Sequence, residues 1–298
     1  MMKSCIKIII WEVVIFMNKK YSLGFVILHY IVIEDTIECI NSIINHIDTD
    51  NYEIVVVDNA SPNNTGNDLL KKYKNYEKVS VILNKENSGF SKGNNIGIEY
   101  LLNKSIDFIA VLNNDTYLIQ DDFFKVVNEE YSKSNFGVLG PKIYDSSGYN
   151  NSNPLDSEEI FTTAQYKSKY RMYQKMLIKK IFKLRNKLNY QSSIKECIDK
   201  RLENVTLHGC CLIFSPEYFK YYNGIEELTF MYGEETILKM NCKQNNLIMV
   251  YNPKLKIYHK EAVATNIARS YKKEIIQLYR ICKAAKAIYI KSKQNYSK

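Results

Sequence analysis

The stretch FIAVLNNDTYL, residues 108–118, is a run of five apolar residues that ends in Asn113, Asn114 and Asp115. A strand buried on both faces reads as a near-continuous hydrophobic run. Asn and Asp suit the turn that must follow it. A site for a hard cation would place a carboxylate at the same point, because such ions prefer oxygen ligands. The residues on either side have to separate these readings.

Three further apolar runs lie upstream: LGFVIL (23–28), EIVVVD (53–58) and VSVIL (79–83). Helical spacing follows each of them. Ile37, Ile40, Ile44 and Ile47 recur after the first, a short helix through Leu69 and Leu70 follows the second, and a helix near 94–103 follows the third. Strand–helix alternation with doubly buried strands predicts an α/β fold, a Rossmann-like, mostly parallel sheet flanked by helices. Each strand ends on a polar cluster: His29-Tyr30, Asp58-Asn59, Asn84-Lys85 and Asn113-Asn114-Asp115. Ligands of open α/β sheets bind just beyond the carboxyl ends of the strands. Four clusters on one edge favour a site over turn chemistry alone.

The second half changes character. A polar loop covers 145–159, and KSKYRMYQKMLIKKIFKLRNKL (167–188) follows, its charges all Lys or Arg. Tyr173, Leu177, Ile181, Leu184 and Leu188 form one stripe along it. It reads either as an amphipathic surface helix or as an interfacial helix drawn to anionic lipid. NVTLHGCCLIFSPEYF (204–219) reads as a strand pair with a Gly turn, a helix begins at Gly233 to Glu235, and LIMVYNPKLKIYHK (247–260) is strand-like. The chain closes on a basic helix, 272–291, with Ile276, Leu278, Ile281, Ala285 and Ile288 on its apolar side.

The 298 residues are ample for a buried core, and 46% hydrophobic with 24% charged is ordinary for a folded protein. A net charge of +9 favours polyanionic partners, but the basic residues cluster on helices that also carry apolar stripes. Nucleic-acid grooves interleave basic and aromatic residues instead, so nucleic acid is not expected as a partner. Seven cysteines without a Cys-x-x-Cys pair suggest neither a disulfide framework nor a zinc site. The apolar run from Ile6 to Met17 is short for a bilayer span and is broken by Lys7 and Glu12. Residues 1–20 are either an extension from a mis-called start, with Met17 as the alternative, or a membrane-seeking segment.

No Gly-x-Gly-x-x-Gly follows the first strand, and neither a phosphate-binding Gly-Lys-Ser/Thr loop nor a Gly-x-Ser-x-Gly elbow is present. Dehydrogenase, kinase and serine-hydrolase readings weaken accordingly. What remains is Asp115 at a strand end, Glu234-Glu235 at a helix start, and His259 after the last strand. Two acids in a first helical turn also suit the helix dipole. One of them can still face a cleft, because neighbours there point about 100° apart.

In order, VILHY, IVVVDNASPNNT, NKENSGFSKGNNIGI, VLNNDTYL, GCCLIFSPEYF, FMYGEETILKM and VYNPKLKIYHK resemble glycosyltransferase family 2, and within it the rhamnosyltransferase-like enzymes of bacterial surface polysaccharide assembly. The resemblance spans about Tyr21 to Lys260 and implies a glycosyltransferase-A fold, a UDP- or dTDP-linked sugar donor, a divalent cation (Mg²⁺ or Mn²⁺) and inversion at the anomeric carbon. Asp58 matches the acid that contacts the nucleoside. Lys92 and Asn95 match positions lining the donor pocket, with His29, Tyr30, Asn59, Asn113 and Asn114 as strand-end neighbours on the donor side. Asp115 matches the last acid of the Asp-x-Asp metal motif, His259 a histidine near diphosphate and metal, and Glu235 the Asp that acts as base, with Glu234 beside it.

Two departures stand out. The base position holds Glu, and Ile237 and Asn241 replace the family's next acid and its Arg. A non-catalytic nucleotide-sugar binder is therefore the alternative reading. The resemblance further implies a catalytic unit over 21–262, with a nucleotide-sugar half (21–118) and an acceptor half (119–262), then a helical segment over 263–298. It implies a glycan or lipid-linked glycan acceptor, and a cytoplasmic location at the inner face of the membrane.

Overall fold

Strand β1 (Leu23–His29) turns Phe25 and Ile27 to one face of the sheet and Val26 to the other, all fully buried. The same alternation holds in β2 (Tyr52–Asp58), where Ile54 and Val56 oppose Val55 and Val57. In β4 (Phe108–Asn113), Phe108, Ala110 and Leu112 oppose Ile109 and Val111. Side chains of a strand alternate between faces, so an unbroken apolar run requires cover on both.

The computed structural model describes residues 20–146, 148, 153–155, 161–183, 198–260 and 271–295. Residues 1–19, most of the 145–159 loop, and Leu184 and Leu188 lie outside the described residues.

The other strands are β3 (Val79–Leu83), β5 (Thr116–Leu118), β6 (Val138–Tyr144), β7 (Leu202–Glu203), β8 (Cys211–Phe214) and β9 (Met249–His259). They form one sheet in the order β3-β2-β1-β4-β8-β6-β9-β5, with β7 paired to β9. Strands β1 to β4 pair in parallel, and β6 with β9 likewise; β8, β5 and β7 run against their neighbours. Strand order reverses at β1, whose two neighbours are β2 and β4, which opens a crevice beyond His29 and Asn113.

One face is covered by α1 (Ile33–His46), α2 (Thr65–Tyr73) and α4 (Phe123–Ser134), through Ile40, Ile43, Leu69 and Val127. The other is covered by α3 (Phe90–Asn103), α6 (Pro216–Phe219) and α7 (Glu234–Gln244), through Ile98, Leu101, Tyr218 and Leu238. Helices α5 (Thr163–Ile181) and α8 (Tyr271–Asn295) pack together beside α7, sharing the cluster of Tyr166, Ile237, Met240 and Ile288.

Three sequence expectations change in detail. Helix α1 buries Cys39, Ile40 and Ile43, whereas Ile44 is exposed. Residues 204–219 hold one strand and a short helix rather than a strand pair. Ser215 caps that helix by accepting from the Glu217 N–H, and Pro216 fits its first turn. On α8 the buried residues are Cys282, Ala284, Ile288 and Ser292, with Ile276 exposed. The helix turns a narrower stripe inward than its apolar content suggests, because its cover among the described residues is α5, the tip of α7 and single contacts from Glu226 and Phe230.

Candidate active site

Asp115 lies in the two-residue turn between β4 and β5, and β5 pairs with β9 so that Thr116 faces His259. That register brings Asp115 Oδ1 to 3.2 Å from His259 Nε2, both side chains nearly buried. The Lys260 N–H donates to the Asp115 carbonyl at 2.9 Å, and Lys260 Nζ reaches Asp35 at 2.7 Å and Glu38 at 3.2 Å on α1. Two strand ends and a helix thus fix the pair.

The segment His208-Gly209-Cys210 leads into β8 and touches both sides of the site. The Cys210 carbonyl accepts from Asn113 N at 3.0 Å and from Thr116 Oγ1 at 3.3 Å. The His208 ring lies 5.8 Å from that of His259, and its Nδ1 accepts from the Cys210 N–H at 3.1 Å. Gly209 lies under Glu235: a Cβ there would stand 3.0 Å from Glu235 Oε1. The Gly209 amide donates to that carboxylate. His208 and Gly209 escaped the sequence reading because about fifty residues separate His208 from its ring partner; the HGCC turn was visible, its neighbours were not.

The acid pair opens α7 on Gly233, whose φ of +84° favours glycine. Burial raises Glu235, with hydrogen bonds from its own amide and that of Gly209 working against the rise. Burial and then the Glu235 charge push Glu234 up to about 8, and Glu234 Oε2 makes no hydrogen bond. The two carboxyls therefore resist sharing two negative charges, which keeps a proton on the pair and raises its basicity.

The donor-side residues divide into an open group and a structural group. Asp58, at the end of β2, accepts from Ser61 N at 3.2 Å through Oδ1 and packs so closely on Gly66 that a Cβ there would stand 2.2 Å from Oδ2. Tyr30 and Lys92 are exposed, whereas Asp58 itself is buried. His29 lies beneath the edge, fully buried, its ring nitrogens on Thr36 Oγ1 at 2.7 Å and Thr65 Oγ1 at 2.9 Å; burial lowers its pKa. Asn59 spends its amide on the 84–89 loop, giving to Asn87 and Gly89 and accepting from Asn84 and Ser88. Asn114 donates to Val32 O and Thr36 Oγ1. Asn95 brackets Ile225, donating to its carbonyl at 2.8 Å and accepting from its N–H at 2.7 Å, and also donates to Glu227 at 2.9 Å. These amides shape the site from behind.

Helix α3 thereby holds the loop that leads to the acid pair. Phe90 N donates to the Phe230 carbonyl at 2.9 Å, and a Cβ on Gly89 would stand 2.1 Å from that oxygen.

Two ligands at right angles around an octahedral ion with bonds of about 2.1 Å lie about 3 Å apart. Asp115 and His259 fit that spacing, and the buried His259 Nδ1 makes no hydrogen bond. Among the described residues no cluster of three or more His, Cys, Asp or Glu could hold an ion alone. Asp115 and His259 could hold a hard cation only together with ligands that the described side chains do not supply.

The model of the family "Glycosyl transferase family 2" matches residues 25–202. The chain belongs to glycosyltransferase family 2. It is 24% identical over 197 residues to the low-salt glycan biosynthesis hexosyltransferase Agl10 of Haloferax volcanii, covering 65% of this chain and 54% of that protein. It is 32% identical over 106 residues to the dTDP-rhamnosyl transferase RfbF of Shigella flexneri, covering 36% and 34%. The chain thus spans about half the length of the first relative and a third of the second. The fold resembles that of S. aureus TarS 1-349 in its complex with UDP-GlcNAc, with a TM-score of 0.51 at 17% identity over 88% of this chain and 65% of that one. The architecture is the glycosyltransferase-A fold of family 2, a mostly parallel central sheet with eight helices among the described residues. Glu234, Glu235 and His259 lie beyond the matched stretch.

Proposed function

We propose that this family 2 protein is an inverting glycosyltransferase moving a sugar from a UDP- or dTDP-linked donor to a hydroxyl of a glycan acceptor, lipid-linked in cell-surface polysaccharide synthesis. The observation that carries the reading is the meeting of Asp115 and His259 with Glu235 across His208-Gly209-Cys210. The names of the relatives support the donor class: one is a dTDP-rhamnosyl transferase, and TarS is described with UDP and UDP-GlcNAc. Residues 21–118 then form the nucleotide half and 119–262 the acceptor half of one catalytic unit.

Asp58, at the β2 end, receives the nucleoside. Asp115 and His259 would hold a divalent cation, Mg²⁺ or Mn²⁺. When bound it supplies positive charge to the departing diphosphate. Glu235 takes the proton from the acceptor hydroxyl while that oxygen bonds to the anomeric carbon, and the bond to the diphosphate breaks with its electron pair. One displacement gives inversion without a protein nucleophile. Glu235 acts only when ionised. Because burial raises its pKa, transfer declines as pH falls at a higher pH than an ordinary carboxylate would impose.

Ile237 and Asn241 favour weighing a non-catalytic binder, since both are buried: Ile237 packs against α5 and α8, and the Asn241 carbonyl accepts from Tyr222 Oη at 3.1 Å. Hydrolysis and transfer screened across several UDP- and dTDP-sugars with Mn²⁺ or Mg²⁺ test the reading. Turnover of at least one, lost in Glu235→Gln, is expected. Nucleotide binding without any turnover would favour the binder.

Helices α5 and α8 support peripheral attachment to the inner face of the membrane. Ile178, Ile181 and Phe182 are exposed among Lys175, Lys179 and Lys183. No helix of the described residues is long and apolar enough to cross a bilayer. Sedimentation with anionic liposomes at low salt and release at high salt is the expected behaviour; failure to sediment would overturn the attachment.

A further inference from the structure

Ile31, just beyond β1, sits at φ +71°, in the left-handed region where a β-branched residue is an outlier. The Val32 N–H donates to the Tyr30 carbonyl at 2.9 Å, closing a three-residue turn with positive φ at its centre, a form that is rare and strained. Two side chains from the loop after β2 hold it there. Ser61 Oγ accepts from the Ile31 N–H at 2.8 Å, and Asn63 Nδ2 donates to the Ile31 carbonyl at 2.9 Å. In that loop Ala60 and Asn64 are left-handed too, at +59° and +65°.

These bonds use only the backbone of Ile31, so Asn or Gly would hold the same turn with less strain. The Ile31 side chain is exposed and belongs to none of the core clusters among the described residues. A single exposed apolar side chain is ordinary; one kept at a strained position is not. Strain of this kind gathers where a ligand is gripped. The fold therefore gives no reason for isoleucine, and the place of the residue supplies one. Ser61, whose hydroxyl holds Ile31, donates its N–H to Asp58 Oδ1 at 3.2 Å, so one residue joins Ile31 to the acid assigned to the nucleoside. Asp115, assigned to the diphosphate, lies beyond β4 on the other side of β1.

We infer that Ile31 is a specificity residue that reads the 5-position of the donor's pyrimidine and selects thymidine over uridine diphosphates. This rests on the transferase reading and deepens it. Thymine differs from uracil by one methyl group at C5, while the N–H and carbonyls that polar groups read are the same in both bases. An apolar contact is what separates them. Either base would cover part of Ile31, but only thymine takes a methyl group of its own out of water, an effect on the order of fourfold in affinity.

Calorimetric titration of the full chain with dTDP, dUDP and UDP at saturating Mn²⁺ tests this. The first two differ only in the 5-methyl group, and UDP against dUDP reports the 2′-hydroxyl separately. Wild type should bind dTDP about fourfold tighter than dUDP. In Ile31→Asn and Ile31→Gly the two should bind within about 1.5-fold of each other, with dUDP affinity kept within about twofold of wild type. Asn tolerates the left-handed backbone, so Ile31→Asn should not lower the melting temperature; Ile31→Gly decides the matter if that variant misfolds. Equal binding of dTDP and dUDP by wild type, tighter binding of dUDP, or a methyl preference that survives in both variants would overturn the assignment alone. Failure of wild type to bind any of the three would overturn the transferase reading with it.

Discussion

The two sides of the candidate site are built differently. Asp58 and Asp115 stand at the ends of β2 and β4, strands whose burial is written locally as apolar runs. Glu234 and Glu235 stand at a helix tip held by remote segments: Gly209 before β8, the Phe230 loop docked on α3, and Ile288 of α8. A strand end is fixed by its ladder; a helix tip is fixed by whatever packs on it. The nucleotide side should therefore tolerate changes in the second half of the chain, and the base side should not.

The largest effect separating the two sides is expected from Glu235→Gln. Loss of a positioned general base costs about 10²–10⁴-fold, so sugar transfer should fall by roughly 10³ in steady-state assays. Full activity would move the base elsewhere. Gly209→Ala sharpens the point without touching a titrating group. Its Cβ would crowd Glu235 Oε1 at 3.0 Å, and transfer should drop on the order of 10-fold through misplacement. Glu235→Asp in the same chain, one methylene shorter, should recover part of that loss; purely additive losses would show that Gly209 does not position the acid.

Stability offers a smaller test. Glu234 is buried and its folded pKa is raised to about 8, so the native state holds a proton that the unfolded chain releases near pH 4.5. The acid therefore lowers stability progressively as pH rises from about 4.5 to about 8. Glu234→Gln should stabilise by on the order of 2 kcal/mol at pH 8 and by little at pH 4 in denaturant titrations. An equal change at both values would remove burial as the cause. The smallest effect is expected from Asn95→Ala, which frees the Ile225 amide and carbonyl and should cost about 1–2 kcal/mol. UDP affinity should not follow, because Asn95 faces the loop and not the strand ends.

How much of this was legible follows the same division. The doubly buried strands, their parallel order and Asp58 and Asp115 at their ends could be read because period-2 burial and strand-end placement are local properties. The alternation of Val55 and Val57 against Ile54 and Val56 is the plainest case. Asn59 and Asn95 appeared as donor contacts, since an amide beside a strand end looks alike whether it binds ligand or backbone; their bonds to 84–89 and 225–227 are non-local. His208 meets His259 only because β8 and β9 both flank β6, an arrangement that no spacing announces. The stripe on α8 misled about Ile276 because a helix lying at the edge of the molecule buries less than its apolar face offers.

The central claim is that Asp115 and His259 serve the donor diphosphate while Glu235 serves the acceptor. Calorimetric titration of UDP with Mn²⁺ into the wild type, Asp115→Ala and Glu235→Gln tests it most directly. Mn²⁺-dependent UDP binding should be lost in Asp115→Ala and kept within about threefold, or about 0.7 kcal/mol, in Glu235→Gln. Equal binding in all three, or loss in Glu235→Gln alone, would contradict it.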